Sequence, residues 1–236
     1  TASNNTAVGK SALTANTTGT QNVAVGALAG DAQTTGSHSV AVGYNALTAN
    51  TTANYNVAIG RNSLAANTTT AYNTAVGGES LAANTAASNT AVGYAALTAN
   101  TTGASNVAVG TYALDANTTA ADNVAVGTNA LGANNTGDQN LAIGSNSLLV
   151  NTTGRNNISL GHGALTANTT ANQNVAIGPA ALDANTTGAS NIGIGYGALS
   201  GNTTASNNVA IGDVAMVANT SGTDNVAVGS NSLDAN

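Results

Sequence analysis

The sequence has no cysteine, phenylalanine or tryptophan, and it has only one proline, one methionine and six tyrosines. Without cysteine it can form no disulfide, no thiolate metal site and no cysteine nucleophile. The hydrophobic fraction of 42% consists mostly of alanine and valine, which leaves little material for an ordinary globular core. The longest apolar runs span a few residues, far below the roughly 20 needed to cross a bilayer, so we expect no direct membrane insertion of this segment.

Charged side chains are also scarce. They make up 5% of the chain, against about 25% in a typical soluble domain, so neutral asparagine and threonine must cover the surface. Three Lys or Arg residues against nine Asp or Glu residues give a formal net charge of −6. No basic cluster could neutralise a row of phosphates, and we expect no nucleic-acid partner. The scarcity of trypsin sites favours an extracellular or cell-surface location, or a virion fibre.

The sequence does contain a repeat, which runs from end to end. A tetrad of the Val-Ala-Val-Gly type occurs in fourteen copies, 17 residues apart everywhere except for 16 between Gly77 and Gly93. We number each repeat from the glycine of its tetrad as position 0. The consensus is Asn at −4, Val at −3, Ala at −2, Val or Ile at −1, Ala or Ser at +3, Leu at +4, Ala at +6 and Asn-Thr-Thr from +7 to +9. Residues 1–236 form a single repeat array, and because both ends fall inside repeats we interpret it as a fragment of a longer protein.

The repeat predicts strands, because β-branched residues alternate with alanine and the tetrad closes with glycine. We predict an all-β fold, a parallel β-solenoid or β-roll of fourteen coils of about 17 residues. A first strand would cover Asn-Val-Ala-Val, and a second would run through Ala-Leu-x-Ala before the Asn-Thr-Thr loop. Alternation sends positions −3 and −1 to one face and −4, −2 and 0 to the other. Charged and aromatic residues never occupy −3, −1 or +4, so we predict that Val, Ile and Leu fill the interior.

On that prediction the opposite face of the first strand carries a stripe of small residues. Only Ser159 and Gly193 replace alanine at −2. A flat, uncharged stripe suits the close approach of another chain. We therefore hypothesise a homo-oligomer; the alternative is that small residues simply fit a narrow monomeric coil. The alanines proposed to line the oligomer axis are Ala24, Ala41, Ala58, Ala75, Ala91, Ala108, Ala125, Ala142, Ala176 and Ala210.

Asparagine recurs at two positions, −4 and +7, each in thirteen of fourteen copies. Equivalent residues of stacked coils lie about 4.8 Å apart, so their side-chain amides can bond one to the next along the stack. We predict structural ladders rather than catalytic asparagines. The ladder residues are Asn22, Asn56, Asn106 and Asn174 at −4, and Asn16, Asn50, Asn67, Asn100, Asn117 and Asn151 at +7.

The segments Asn-Val-Ala-Ile-Gly at 56–60 and 174–178, with near-copies throughout the array, resemble the Asn-Ser-Val-Ala-Ile-Gly motif of YadA-like head domains in trimeric autotransporter adhesins. The resemblance implies a left-handed parallel β-roll, three chains around a common axis, and display on a bacterial surface. It also implies adhesion to host matrix or other surfaces. Similar repeats occur in phage tail fibres and other surface fibres. This sequence departs from the usual head repeat by a longer Asn-Thr-Thr-Gly segment.

The groups that an enzyme needs do not converge in this sequence. The only histidines, His38 and His162, lie seven repeats apart, and acidic residues occur singly. Paired carboxylates, acidic calcium loops and phosphate-binding motifs are not evident. We predict no catalytic residues, no cofactor and no metal site. Tyr44, Tyr94 and Tyr196 share position +1 but stand several repeats apart, so we do not interpret them as a binding stripe.

We therefore expect a non-enzymatic structural and adhesive segment of an extracellular fibre or bacterial surface adhesin. Its expected partners are further copies of itself and, beyond those, host matrix or surface glycans. Two alternatives remain open. The first is a phage tail-fibre shaft, which the same repeat would suit. The second is a solenoid whose Thr pairs, such as Thr17-Thr18 and Thr51-Thr52, form a hydroxyl array for ice or carbohydrate, although the same pairs also suit plain loop covering.

Overall fold

A computed structural model describes residues 2–234, in which the regular secondary structure consists of fourteen short parallel β-strands. The described residues divide into two compact units, the first ending at Thr119 and the second beginning at Ala120. Within each unit, each strand pairs with the strand of the next repeat, with equivalent residues opposite each other, as Val23 with Val40 and Ala24 with Ala41. The prediction of an all-β parallel solenoid with one coil per repeat is confirmed.

Every strand has three residues, positions −3 to −1 of its repeat. The first unit contains β1 (Thr6–Val8), β2 (Val23–Val25), β3 (Val40–Val42), β4 (Val57–Ile59), β5 (Thr74–Val76), β6 (Thr90–Val92) and β7 (Val107–Val109). The second unit contains β8 (Val124–Val126), β9 (Leu141–Ile143), β10 (Ile158–Leu160), β11 (Val175–Ile177), β12 (Ile192–Ile194), β13 (Val209–Ile211) and β14 (Val226–Val228).

The strands turn their alanines inward and their valines and isoleucines outward. Ala24 is fully buried, whereas Val23 and Val25 on either side of it are 37% and 36% exposed. The predicted alternation is right, but our assignment of the two faces was wrong. The reason is the width of the coil. At Gly193, which replaces alanine, an added Cβ would lie 3.0 Å from the Ala198 carbonyl oxygen and 3.3 Å from Leu182 Cγ, so the space between strand and leucine admits little more than a methyl group.

The hypothesis that the alanine stripe lines an oligomer axis is wrong for the same reason. These side chains already fill the interior of their own chain, where no other chain can reach them. All ten are at most 3% exposed: Ala24, Ala41, Ala58, Ala75, Ala91, Ala108, Ala125, Ala142, Ala176 and Ala210.

The predicted second strand is also wrong, because positions +1 to +6 form two consecutive turns. In the coil of Gly43, the Ala46 N–H donates to the Gly43 carbonyl at 3.4 Å, and the Asn50 N–H donates to the Leu47 carbonyl at 3.3 Å. Position +2 has a positive φ, 59° at Asn45, as the third residue of a type II turn requires. Amides that point along the stack still bond between coils, as the Leu47 N–H does to the Ser63 carbonyl at 3.0 Å.

The leucine at +4 is the largest side chain of the core and sits on a left-handed backbone. Leu47 and Leu64 have φ of 54° and 51°, and both are fully buried. A left-handed conformation costs a non-glycine residue about 1–2 kcal/mol, whereas full burial of leucine stabilises by about 1.5–3 kcal/mol. The burial of the leucine therefore offsets the strain of the corner that points it inward.

The glycine at position 0 is required by both conformation and space. Gly178 has φ of 129°, a backbone region that side-chain-bearing residues avoid. An added Cβ at Gly178 would lie 2.5 Å from the carbonyl oxygen of Gly195 in the next coil. The glycines of successive coils thus allow the backbones to stack at strand spacing.

These two requirements can be separated by comparing Gly178→Ala with Gly229→Ala. Gly229 has φ of +126°, but an added Cβ there would meet only Ser232 Cβ, at 4.0 Å. We expect Gly229→Ala to cost only backbone strain, on the order of 1–3 kcal/mol. Gly178→Ala should cost more, because the coils must also move apart. Urea unfolding followed by circular dichroism measures both losses, and equal losses would contradict the stacking argument.

One coil breaks the core pattern at two positions together. Gly30 replaces leucine at +4 and Gln33 replaces asparagine at +7. Gln33 is buried, and its Nε2 donates to the Gly36 carbonyl at 2.7 Å. Its Oε1 lies 3.6 Å from the place of a Cβ on Gly30. The longer amide thus occupies part of the volume that leucine fills in neighbouring coils.

The pair should therefore be strongly coupled. We expect Gly30→Leu alone to destabilise by about 1–3 kcal/mol through overpacking, and Gln33→Asn alone to cost about 1 kcal/mol for the lost methylene. The double variant, which restores the consensus pair, should be more stable than either single variant. A double-mutant cycle from urea unfolding tests this, and additive losses would show that the two positions are independent.

Candidate functional surface

Two ladders of buried asparagines flank the alanine and leucine core. At +7 the Asn117 Nδ2 donates to Asn100 Oδ1 at 2.8 Å, and in the second unit the Asn168 Nδ2 donates to Asn151 Oδ1 at 2.9 Å. At −4 the backbone N–H donates to the side-chain oxygen of the preceding coil, as from Asn174 to Asn157 Oδ1 at 3.0 Å and from Asn56 to Ser39 Oγ at 3.3 Å. The amides predicted to form ladders are therefore hydrogen-bonded from coil to coil, except for Asn16, whose Nδ2 donates within its own coil to the Gly19 carbonyl and whose Oδ1 has no partner among the described residues.

The two asparagine positions also hold the return loop, at the carbonyl of position +10. In the first unit, the Gly103 carbonyl accepts from Asn89 Nδ2 at 2.9 Å and from Asn100 Nδ2 at 2.8 Å. In the second unit, the Gly188 carbonyl accepts from Asn174 Nδ2 and Asn185 Nδ2, both at 2.9 Å. A loop without strand pairing can thus be buried with its polar groups satisfied.

The hydroxyls of the threonines at +8 donate hydrogen bonds from one coil to the next. Thr51 Oγ1 donates to the Thr68 carbonyl at 3.2 Å, and Thr101 Oγ1 donates to the Thr118 carbonyl at 2.9 Å. The same bond recurs in the second unit, from Thr186 Oγ1 to the Thr203 carbonyl at 3.0 Å. Because this proton is committed to the backbone, the position contributes to loop structure rather than to a hydroxyl array with free donors.

The outer face of the strands is an apolar surface that recurs from coil to coil in each unit. Its residues are the side chains at −3 and −1, which we call the aliphatic face. In the first unit it comprises Thr6, Val8, Val23, Val25, Val40, Val42, Val57, Ile59, Thr74, Val76, Thr90, Val92, Val107 and Val109. In the second unit it comprises Val124, Val126, Leu141, Ile143, Ile158, Leu160, Val175, Ile177, Ile192, Ile194, Val209, Ile211, Val226 and Val228. None of these residues is charged, and none of those the structure describes is fully buried.

Aromatic residues form two clusters in the first unit. His38, Tyr55 and Tyr72, at position −5 of three successive coils, stack face to face. Tyr94 and Tyr112 meet edge to face, with ring centroids 5.6 Å apart. The repeat pattern keeps aromatic residues out of positions −3, −1 and +4, but the stack was not predicted from it. The signal was available, because the three residues are spaced by the repeat length of 17.

Chemical groups that could act together are few in the described residues. His38 belongs to the first unit and His162 to the second. No group of three His, Cys, Asp or Glu side chains among residues 2–234 is arranged to hold a metal ion, and neither unit has a pocket in its described part. The same residues contain no helix with the length and apolar character needed to cross a membrane.

Two ion pairs join Arg61 to Glu79 at 3.5 Å and Arg155 to Asp138 at 3.6 Å. Both are exposed enough to contribute little to stability.

No protein-family model and no curated protein matches the chain.

The surroundings of two carboxylates at +5 shift their pKa values. Partial burial raises the pKa of Asp183 above its ordinary value, and hydrogen bonds from the backbone amides of Ala184 and Asp183 oppose the shift. Burial likewise raises the pKa of Asp115, opposed by the amides of Asp115 and Ala116. In both cases loss of hydration is the larger effect, so the folded state disfavours the charged form.

Asp183→Asn should therefore stabilise the protein at neutral pH. Because the folded pKa is raised, the penalty is absent well below pH 3.8, the ordinary value, and is fully present above the raised pKa. We expect a gain of less than about 1 kcal/mol at pH 7, since the site is partly exposed, and no gain at pH 2.5 (about one unit below the ordinary value). Thermal unfolding at both pH values, with the exposed Asp213→Asn as the control for net charge, measures it. A gain that persists at the lower pH would refute this cause.

Proposed function

We propose that this chain is a non-enzymatic structural and adhesive segment of an extracellular fibre, and that it associates with further copies of itself through the aliphatic face. A trimer is the expected assembly. The observation that carries the proposal is the position of the Val and Ile side chains, which lie outside the coil while asparagine lies inside. The location outside the cell is supported by the scarcity of Lys and Arg and by the neutral polar surface.

The energetic argument starts from one strand. Ile59 on β4 is 38% exposed, and burying the remainder of such a side chain stabilises by roughly 0.5–1 kcal/mol. Most coils offer two side chains of this kind, the coils of Thr6, Thr74 and Thr90 offer one, and the arrangement repeats over seven coils in each unit. A contiguous apolar surface of this extent is typical of an interaction site rather than of a surface that contacts only solvent.

A second copy of the chain is the partner that best fits this surface. The side chains form ridges about 4.8 Å apart along the stack, and every copy carries the same spacing. The face carries no charge that would recognise an acidic or basic partner. Copies can therefore interdigitate through equivalent coils, with apolar contact as the main stabilising term.

The adhesive part of the proposal is supported by the regularity of the surface and by the absence of a pocket from the described residues. A repeated, neutral surface offers many equivalent weak contacts, and such contacts gain avidity when several chains are held together. The alternative hydroxyl array is less well supported, because the threonines at +8 donate to backbone carbonyls.

Mass in solution tests the proposal directly. We expect light scattering after size exclusion to give about three times the chain mass of 22.5 kDa at micromolar concentration. Ile59→Lys combined with Ile143→Lys should reduce it to the chain mass, because a charge buried in an apolar interface is strongly disfavoured. A wild-type mass of one chain would refute self-association through this face.

The control is the same change of charge on another exposed surface. Thr52 and Thr153 lie at the exposed position +9, one in each unit. Thr52→Lys combined with Thr153→Lys adds the same charge there. This double variant should keep the wild-type mass, and both double variants should keep the circular dichroism of the wild type. If the Thr variants dissociate as well, net charge rather than the aliphatic face controls assembly, and the proposed interface is wrong.

A further inference from the structure

Three aromatic rings in the first unit form a stack on the protein surface, which we call the aromatic ladder. The ring centroids of His38 and Tyr55 are 4.8 Å apart with planes 6° from parallel, and those of Tyr55 and Tyr72 are 5.6 Å apart with planes 4° from parallel. Tyr55 and Tyr72 nevertheless remain 50% and 64% exposed. The ladder therefore stands on the surface rather than in the core.

The ladder is not needed to build the coil. Tyr55 and Tyr72 have φ of 58° and 64°, a left-handed conformation that bulky residues rarely adopt. The coils on either side make the same bend with Gln21 and Ser88, at φ of 58° and 62°. Since short polar residues suffice for this bend, the aromatic residues at the position call for another explanation.

The ladder ends in a vacant ring position. Beyond Tyr72, the next coil carries Ser88 at the equivalent site, preceded by Ala87 in the one repeat that is 16 residues long. The following coil carries Ser105. Apart from Tyr55, no ring in the described residues stacks on Tyr72. The outer face of Tyr72 and the small residues Ala87 and Ser88 form what we call the Tyr72 notch.

The chemistry of the notch points to a neutral ligand with one flat apolar face. A tyrosine ring carries negative charge density on its face, which attracts weakly positive C–H groups as well as other ring edges. Hydroxyl groups are available at its rim from Tyr72 and Ser88. The Lys, Arg, Asp and Glu residues of the first unit all lie at +1, +2 or +5, and none lies in the segment from +8 to −4. Nothing in that segment would select a charged group.

We propose that the Tyr72 notch binds a neutral pyranose ring of a surface glycan, stacked on Tyr72 as the next ring of the aromatic ladder. The C–H face of the sugar packs on the tyrosine and its hydroxyls face Ser88 and water. This inference rests on the proposed adhesive function and gives it a ligand class and a site. It does not depend on self-association through the aliphatic face.

Saturation-transfer difference NMR with methyl β-D-galactopyranoside and methyl β-D-glucopyranoside tests the site. We expect transfer from the protein to the ring C–H protons of at least one of the two sugars. Tyr72→Ser, which copies the residue of the next coil, should weaken binding about tenfold, because stacking is the main contact. Tyr72→Phe should bind within about twofold of the wild type, since it keeps the ring.

A second variant blocks the notch while leaving Tyr72 in place. Ser88→Leu would cover the outer face of Tyr72 without offering a new ring and should abolish transfer to the sugar. Tyr196→Ser removes an exposed tyrosine of the second unit and should leave binding unchanged. Circular dichroism confirms that each variant is folded.

The proposal is overturned if neither sugar receives saturation from the wild type, or if Tyr72→Ser or Ser88→Leu binds as the wild type does. It is also overturned if Tyr72→Ser lowers the solution mass, because the ladder would then be an interface between chains. A wild-type protein that is multimeric but binds neither sugar would count against the notch alone. A one-chain mass with sugar binding intact would count against the aliphatic face alone.

Discussion

The coil depends on hydrogen bonds made by buried asparagine amides. Only three residues of each repeat are in a strand. Many turn and loop amides also bond along the stack, but the buried carbonyl at +10 is held by side-chain donors. Asn89 and Asn100 supply donors to the buried Gly103 carbonyl from two sides. Their amide oxygens accept donors from the next coil, as Asn89 Oδ1 does from the Asn106 N–H. A shift of register by one residue would break all of these bonds together, so the same amides that close each coil also fix its position on the next.

A narrow interior is the second constraint, and it follows from the first. Asparagines at both corners leave room for one leucine and for methyl groups opposite it. Exceptions to the pattern are matched by neighbours: Gln33 occupies space beside Gly30, and Ser147 Oγ donates to Ser159 Oγ at 2.6 Å while Ser159 Oγ donates to the Ala164 carbonyl at 2.9 Å. Buried polar substitutions are tolerated where both partners are satisfied. The core thus tolerates paired changes better than single ones.

The arrangement has a direct consequence for function. Because asparagine and alanine fill the interior, the most hydrophobic side chains of the repeat face outward on the strands. This exposure is costly for a single chain and favourable for an assembly, which is the physical basis of the proposed self-association. Position −5 and the loop remain free to vary, and the first unit uses this freedom to place three aromatic rings in one column. Assembly and ligand contact can therefore be assigned to different surfaces of the same coil.

The period, the parallel register, the all-β class and the two asparagine ladders are determined by the sequence itself, because equivalent residues recur 17 apart and stacking brings equivalents together. Alternation also correctly separates Val23 and Val25 from Ala24. Which of these faces is inside was decided by tertiary structure, since alternation is symmetric and only the volume between strand and leucine distinguishes a methyl from an isopropyl group. The turns at +1 to +6 were likewise decided by tertiary packing, because Leu47 adopts a left-handed backbone that its own propensity opposes and that only its burial in the core stabilises.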